Sequence, residues 1–391
     1  MKKIEALLYS NGKPVSIEID NGYITGINSL DNFSEESNGF YVAPGLFDNQ
    51  LNGYLGVDFT ETTLTTEKML MVVRGLRKTG TTTFLPTIIT APHEVLLKSF
   101  TNLAEASQHP EISMSIPGFH LEGPYISPEY GYRGAHTIED IRLPNWDEFQ
   151  KINEAANGKI IHITVAPELE GAIEFIKKCV KNNIVVALGH HNASEEIIKK
   201  AIDAGASTVT HLGNGCANTI NRFENPFWSQ LSEDNLMASI IVDGFHLKPN
   251  QVKVFLRAKG KERIILTSDI TKLAGLPAGI YEWDGKEVEL TPEGVINLVE
   301  EKCFAGASLP LIHGVNNIMK FTGCSVKDAI DMATKNPTKL YEFDDRGEIS
   351  INKRADLILF SLENNEVVIK ETIVKGKTVF SSDSINENIF V

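Results

Sequence analysis

Residues 160–191 read IIHITVAPELEGAIEFIKKCVKNNIVVALGHH. An apolar run at 160–165 ends in a Pro-Glu break, a helical pattern follows in EFIKKCVKNN (174–183), and a second apolar run, IVVALGHH (184–191), closes on two histidines. Strand-like runs alternating with helical patterns belong to a parallel sheet. The unit recurs in both directions along the chain. Toward the N-terminus lie VAPGLFD (42–48), TTTFLP (81–86) and SIPGFHLEGP (115–124); toward the C-terminus lie STVTHLGNG (207–215), ASIIVDGFH (238–246) and RIILTSD (263–269). Helical patterns such as EKMLMVVRGLRKTG (67–80) and SEEIIKKAIDAGA (194–206) separate them. Eight candidate strands in this alternation predict an α/β fold, a (β/α)8 TIM-like barrel. A doubly wound sheet is the structural rival, but no G-x-G-x-x-G follows the first strand.

The ends of the chain differ from the middle. Residues 1–43 hold short alternating runs (IEALLYS, SIEID, YITGI) broken by an N-G turn, and the tail repeats the pattern in ADLILFSL, VVIKETIVK and KTVFSS around Gly376. Period-2 runs joined by such turns are hairpins. Neither end supplies enough strands for a core of its own. Both are therefore expected to build one small discontinuous β-sandwich domain, giving the division 1–43 (β domain, first part), 44–345 (barrel) and 346–391 (β domain, second part).

The 391 residues carry 37 Lys+Arg against 51 Asp+Glu, a net charge of −14, with 42% hydrophobic residues. That balance suits a folded globular protein and argues against nucleic acid, whose phosphates require clustered cations. Cys179, Cys216, Cys303 and Cys324 are widely spaced with no C-x-x-C, so free thiols in a reducing compartment are expected. The N-terminal stretch lacks an apolar signal region and no run reaches membrane-spanning length, which predicts a cytoplasmic protein with no membrane partner.

Barrel enzymes work at the C-terminal ends of their strands. In order, those ends carry Asp48 and Gln50, Glu122, Glu168, His190, His211, Asp243 and His246, and Asp269. One carboxylate and two imidazoles from three strands, Glu122, His190 and His211, make a candidate set for one divalent metal per chain, Zn²⁺ with Fe²⁺ as the alternative. His191 points away from His190 by strand alternation and is the lesser ligand candidate. His120, on the face of Glu122, is placed to support a ligand. His162, in mid-strand, and His313, in a helical run, read as core histidines. Asp269, closing I-L-T-S-D, is the candidate acid/base beside a metal-activated water.

These motifs, taken together and in order, resemble the N-acetylglucosamine-6-phosphate deacetylase family of the amidohydrolase superfamily over nearly the whole chain. P-G-L-F-D-N-Q-L-N-G is similar to that family's first-strand segment, and H-L-E-G-P followed by R-G-A-H, G-H-H-N-A, T-H-L, V-D-G-F-H and L-T-S-D follow in its order. The resemblance implies metal-dependent hydrolysis of the N-acetyl amide of N-acetylglucosamine-6-phosphate to glucosamine-6-phosphate and acetate. It assigns Glu122, His190 and His211 to the metal and Asp269 to proton transfer. Where the wider superfamily carries H-x-H this chain has Gln50 and Asn52, which implies a one-metal site. Substrate contacts implied by position are Ala135, His136, Asn214, Gly215, Arg222, His246, Phe304, Ala305 and Gly306, with Arg222 and His246 on the phosphate. A homodimer is implied as well, since some members supply the contact matching His246 across the subunit interface. The segment after the second histidine departs from the family: H-L-G-N-G-C stands for the usual H-L-[FY]-N-A-M, so the sugar pocket is expected to be reshaped. The rivals are the same chemistry on N-acetylgalactosamine-6-phosphate or a non-phosphorylated amide, another one-metal amidohydrolase such as a cyclic amidase, and a non-catalytic sugar-binding barrel.

Overall fold

In the computed structural model of the chain, residues 1–31, 39–283, 285–299 and 304–382 are described. The expected strands form one parallel eight-stranded sheet in sequence order: Leu46–Leu51, Thr81–Ile89, Phe119–Glu122, Ile160–Val165, Val185–Leu188, Thr208–Val209, Met237–Ile241 and Ile264–Thr267. A helix follows each of them, beginning with Thr66–Arg77 after the first and ending with Leu311–Thr322 after the eighth. The last strand returns beside the first, where the Asp269 N–H donates to Gln50 O (3.1 Å) and the Asn52 N–H to Ile270 O (2.8 Å).

Local chemistry starts these helices where the sequence says it should. Side-chain oxygens of Thr65, Asn145 and Ser194 accept from backbone N–H groups of the first turn, filling donors that a helix cannot satisfy itself. Their apolar faces close the barrel's outer layer. The helix His93–Ala106 buries Leu96, Phe100 and Leu103, and the Phe100 ring lies 6.1 Å from that of Phe119 on the third strand.

The two chain ends meet in one seven-stranded mixed sheet in which Tyr41–Pro44 joins the halves, parallel to Lys2–Leu8 and antiparallel to Leu357–Glu363. Its own core holds Ile4, Ile17, Ile24, Val42, Leu357 and Ile373. Gly45 then leads from this sheet into the first barrel strand. A Cβ there would lie 2.2 Å from the Thr82 side chain, so only glycine fits.

One element had no counterpart among the strands expected from sequence. Gly279–Trp283, Lys286–Leu290, Val295–Leu298 and Phe304–Ala307 form an antiparallel sheet inserted after the eighth strand. Its runs are short and charge-interrupted, and they become a sheet by covering Leu273 with Val288, Leu290, Ile296 and Leu298. The insert is anchored to the segment after Asp269, the Ala307 N–H donating to Asp269 O (3.1 Å) and the Thr271 N–H to Ala307 O (3.0 Å). Among the described residues Cys179, Cys216 and Cys324 are free thiols, and Cys303 lies outside them. No described helix is long and apolar enough to cross a membrane.

Truncating Phe100 to Ala should cost about 3–5 kcal/mol, the usual penalty for emptying a fully buried aromatic site. Equilibrium urea unfolding measures it; a loss below about 1 kcal/mol would mean that this helix does not pack as described.

Candidate metal centre and active site

Glu122 ends the third strand, and His190, His211 and Asp269 each sit two residues beyond the fifth, sixth and eighth. The last three adopt positive φ, at 52°, 29° and 52°, in the left-handed region that side chains avoid at a cost of about 1–3 kcal/mol each. Three such residues at one barrel mouth mark a site that the surrounding fold holds in place.

Glu122 Oε1 lies 3.0 Å from His211 Nε2 and 3.4 Å from His190 Nε2, and the two Nε2 atoms are 3.1 Å apart. A tetrahedral ion with bonds of roughly 2.0–2.1 Å requires ligand–ligand edges of about 3.3 Å. The His190 Nδ1–H donates to the Tyr132 carbonyl (2.9 Å), which leaves the Nε2 lone pair facing inward, as metal-ligating histidines are held. The ring sits in a slot: a Cβ on Gly215 would lie 2.8 Å from His190 Nδ1, and one on Gly134 3.0 Å from Cε1. Burial pushes the Glu122 carboxyl up, but His190 and His211, when they carry a proton toward it, hold it well below the ordinary carboxylate range. The donor chemistry and spacing fit one divalent ion.

Gln50 and Asn52, from the end of the first strand, act as donors. Gln50 Nε2–H₂ reaches both Glu122 Oε1 (2.9 Å) and Asp269 Oδ1 (3.0 Å), and Asn52 Nδ2–H donates to the same Asp269 oxygen (2.7 Å). Asp269 is buried; burial first and then the neighbouring Glu122 charge raise its carboxyl to about 6. A carboxyl tuned there can accept and return a proton near neutrality.

His136 pairs through Nδ1 with Thr90 Oγ1 (2.7 Å), and its ring lies 4.5 Å from that of His190. Burial holds it neutral, its pKa lowered to about 3. It can also bring a ligand atom within 4.8 Å of Glu122 and His190, so it borders the donor set.

The remaining histidines separate cleanly. The Ala193 N–H donates to His191 Nδ1 (3.2 Å), so Nε2 carries the proton, and the Gln230 side-chain amide, 2.5 Å from Nε2, accepts it when turned to present its oxygen. Both nitrogens of His191 are committed, and it offers no lone pair to an ion. His120 lies beneath the site between Thr87 and Thr164, stacked on His162 at 4.0 Å, and His162 pairs with the Tyr341 hydroxyl (2.8 Å). His313 is exposed on its helix, contrary to the core position expected for it, because its helix faces inward through Leu311, Val315 and Ile318.

Several expected substrate contacts gather at the mouth. His246 is clamped to Asp243 (Nδ1 to Oδ2, 2.6 Å), its charge bears on Asp269 within the same chain, and its ring lies 5.0 Å from that of Phe304. Asn214 Nδ2–H donates to His211 O (3.3 Å), Ala135 is exposed beside His136, and Gly306 is packed so that a Cβ would lie 2.4 Å from Thr271. Ala305 is buried in the inserted sheet's core. Arg222 is not brought to this cluster: it is exposed, its guanidinium stacked 4.4 Å over the Phe223 ring. Thr90 and the Tyr132 carbonyl could not be found from sequence, since a backbone oxygen leaves no residue-type signal and a threonine in a loop carries none of its own.

The sequence matches the amidohydrolase family over residues 41–379. The chain belongs to that family. Among similar proteins, the N-acetylglucosamine-6-phosphate deacetylase of Bacillus subtilis (strain 168) is 32% identical over 350 residues, 88% of this chain and 86% of its own. The N-acetylgalactosamine-6-phosphate deacetylase of Shewanella sp. (strain ANA-3) is 31% identical over 357 residues, 88% and 86% respectively. The solved N-acetylglucosamine-6-phosphate deacetylase of Thermotoga maritima superposes with a TM-score of 0.85 at 29% identity, over 98% of this chain and 99% of that one. Glu122, His190, His211 and Asp269 converge on one mouth of this amidohydrolase barrel.

Gly215→Ala should push the His190 ring out of line and weaken metal binding by about 10–100-fold, the range seen when a ligand's supporting contact is lost. Competition with a chromophoric chelator reads the affinity; an unchanged value would show that the slot does not hold His190.

Proposed function

We propose that this amidohydrolase hydrolyses the N-acetyl amide of N-acetylglucosamine-6-phosphate, releasing acetate and glucosamine-6-phosphate. The observation that carries the reading is the donor triangle of Glu122, His190 and His211 beside an Asp269 carboxyl held by Gln50 and Asn52. Glu122, His190 and His211 would hold one divalent cation, Zn²⁺ in preference to Fe²⁺, given a site of two imidazoles and one carboxylate with a fourth position for water. Such an ion supplies Lewis acidity, activating water and polarising the acyl oxygen.

The chain's own groups do the rest. Asp269, ionised, takes a proton from the attacking water as its oxygen bonds to the acetyl carbon. Neutral His136, with Nδ1 accepting from the Thr90 hydroxyl, presents Nε2–H to the developing oxyanion. Asp269 then returns the proton to the sugar nitrogen as the C–N bond breaks, so the carboxyl ends as it began. Ala135, Asn214, Gly215, Phe304, Ala305 and Gly306 are assigned to the sugar, and His246, oriented by Asp243, to its phosphate end. Arg222, turned to solvent in a single chain, is read as the guanidinium for the sugar phosphate in a homodimer. The setting is cytoplasmic.

A second reading, the same hydrolysis of N-acetylgalactosamine-6-phosphate, is favoured by the Gly213-Asn214-Gly215-Cys216 segment. Gly213 and Gly215 have φ of 96° and 59° and no room for a Cβ, so this wall of the pocket is made of backbone.

Metal analysis paired with acetate release from both phosphorylated sugars and from unphosphorylated N-acetylglucosamine tests the reading. About one metal per chain and turnover of a phosphorylated sugar alone is the expected result; a metal without turnover of any of them would redirect the chemistry to other amides. Asp269→Asn should lower kcat by about 10²–10⁴-fold with metal content unchanged, the span of lost acid–base catalysis. Near-normal turnover would remove Asp269 from that role. Arg222→Ala should raise KM for the phosphorylated sugar by about tenfold or more, the loss of a bidentate phosphate contact; an unaltered KM would place the phosphate elsewhere.

A further inference from the structure

Asp48 stands among the polar strand ends but has no part in the chemistry above. It is buried, and its carboxylate is taken up mainly by the turn that precedes Asp269, with the Gln50 N–H a further, longer donor to Oδ1 (3.5 Å). Oδ1 accepts from the Thr267 hydroxyl (3.0 Å) and the Ser268 N–H (3.1 Å), and Oδ2 accepts from the Ser268 hydroxyl. The first and eighth barrel strands meet through backbone hydrogen bonds at their C-terminal ends, Asp269 N–H to Gln50 O and Asn52 N–H to Ile270 O, and side chains of the first strand add to that junction. Asp48 and Gln50 lie on the first strand and Asn52 just beyond it, and all three reach the segment around Asp269. Asp48 grips Thr267 and Ser268, and Gln50 and Asn52 grip the Asp269 carboxylate itself. Between these grips lies the left-handed backbone of Asp269, at φ 52°, which has no glycine to relieve it.

We infer that Asp48 is a positioning residue for Asp269, setting through Thr267 and Ser268 the point at which that carboxylate meets the attacking water. The inference rests on the reading of Asp269 as the proton-transfer group. An acceptor-only carboxylate suits this position because it faces only donors, two backbone N–H groups and two hydroxyls, whereas an amide in its place can accept at only one of its two ends. Gln50 and Asn52 fix the tip of the Asp269 side chain, but the tip can hold its place only while the turn beneath it does.

The test is Asp48→Asn in the metal-loaded enzyme, with amide hydrogen exchange, metal content and steady-state kinetics read together. Expected are about tenfold faster exchange in peptides spanning 264–271, unchanged exchange at the strand ends of Glu122, His190 and His211, and unchanged metal per chain. With them kcat should fall about 10–100-fold while KM moves less than about threefold, as misplacement of a reacting group by a fraction of a bond length produces. Unchanged exchange at 264–271 with kcat within about twofold of wild type would overturn the inference. So would exchange that quickens throughout the barrel with metal lost in parallel, since Asp48 would then only hold the barrel shut. Should the wild type itself release no acetate from any phosphorylated sugar, the functional reading falls and the exchange data alone decide whether Asp48 orders this turn. Ser268→Ala, which keeps the backbone donor and loses the hydroxyl, should show the same pattern at smaller amplitude and serves if Asp48→Asn does not fold.

Discussion

Two carboxyl groups, Glu122 and Asp269, are buried at the same barrel mouth, and one side-chain amide donates to both. Like charges so close cannot both ionise freely in a poorly solvated site. The arrangement resolves the conflict by giving them different surroundings. Glu122 faces His190 and His211 and is kept ionised, a ready ligand; Asp269 is held by the neutral donors of Gln50 and Asn52, and burial with the Glu122 charge outweighs the nearby His211 and His246 and raises its carboxyl to about 6. Environments that push paired carboxyls apart are how a single fold assigns one to binding and the other to proton transfer. The NH₂ of Gln50 donates to both carboxyls, and an amide turned this way offers no lone pair to an ion.

The rest of the molecule maintains that geometry. His190, His211 and Asp269 hold left-handed backbones, and strain of this kind persists only where the surroundings leave no alternative. Gly134 and Gly215 leave the slot for the His190 ring, the Tyr132 carbonyl sets its tautomer, and the inserted sheet clamps the backbone of Asp269 through Ala307. The site is therefore assembled from residues at the ends of several barrel strands, each held by partners from other segments.

The fold was legible because its signals are local. Apolar runs of four to nine residues, helical patterns between them and Ser, Thr or Asn at the helix starts need only neighbours to be read, and the described strands fall where those runs lie. The inserted sheet escaped because its strands, K-E-V-E-L among them, are short, half-exposed and held by contacts to Leu273 that no window of sequence contains. His313 was misplaced for the converse reason: a histidine within a helical run looks the same on either face until the partner of that face is known.

By itself the sequence determined the barrel, the joining of both chain ends in one sheet, and the presence of acids and histidines at successive strand ends. These follow from the periods of strand and helix and from the rule that a parallel barrel exposes its C-terminal edge. Tertiary structure alone decided what each polar group does. It set which nitrogen of His190 faces inward, tied up both nitrogens of His191, made Gln50 and Asn52 hydrogen-bond donors to residues 72 and more than 200 positions away, and left Arg222 on the surface. A proton's position or a donor's target is fixed by the atoms packed against it, and in a barrel those atoms come from strands distant in the chain.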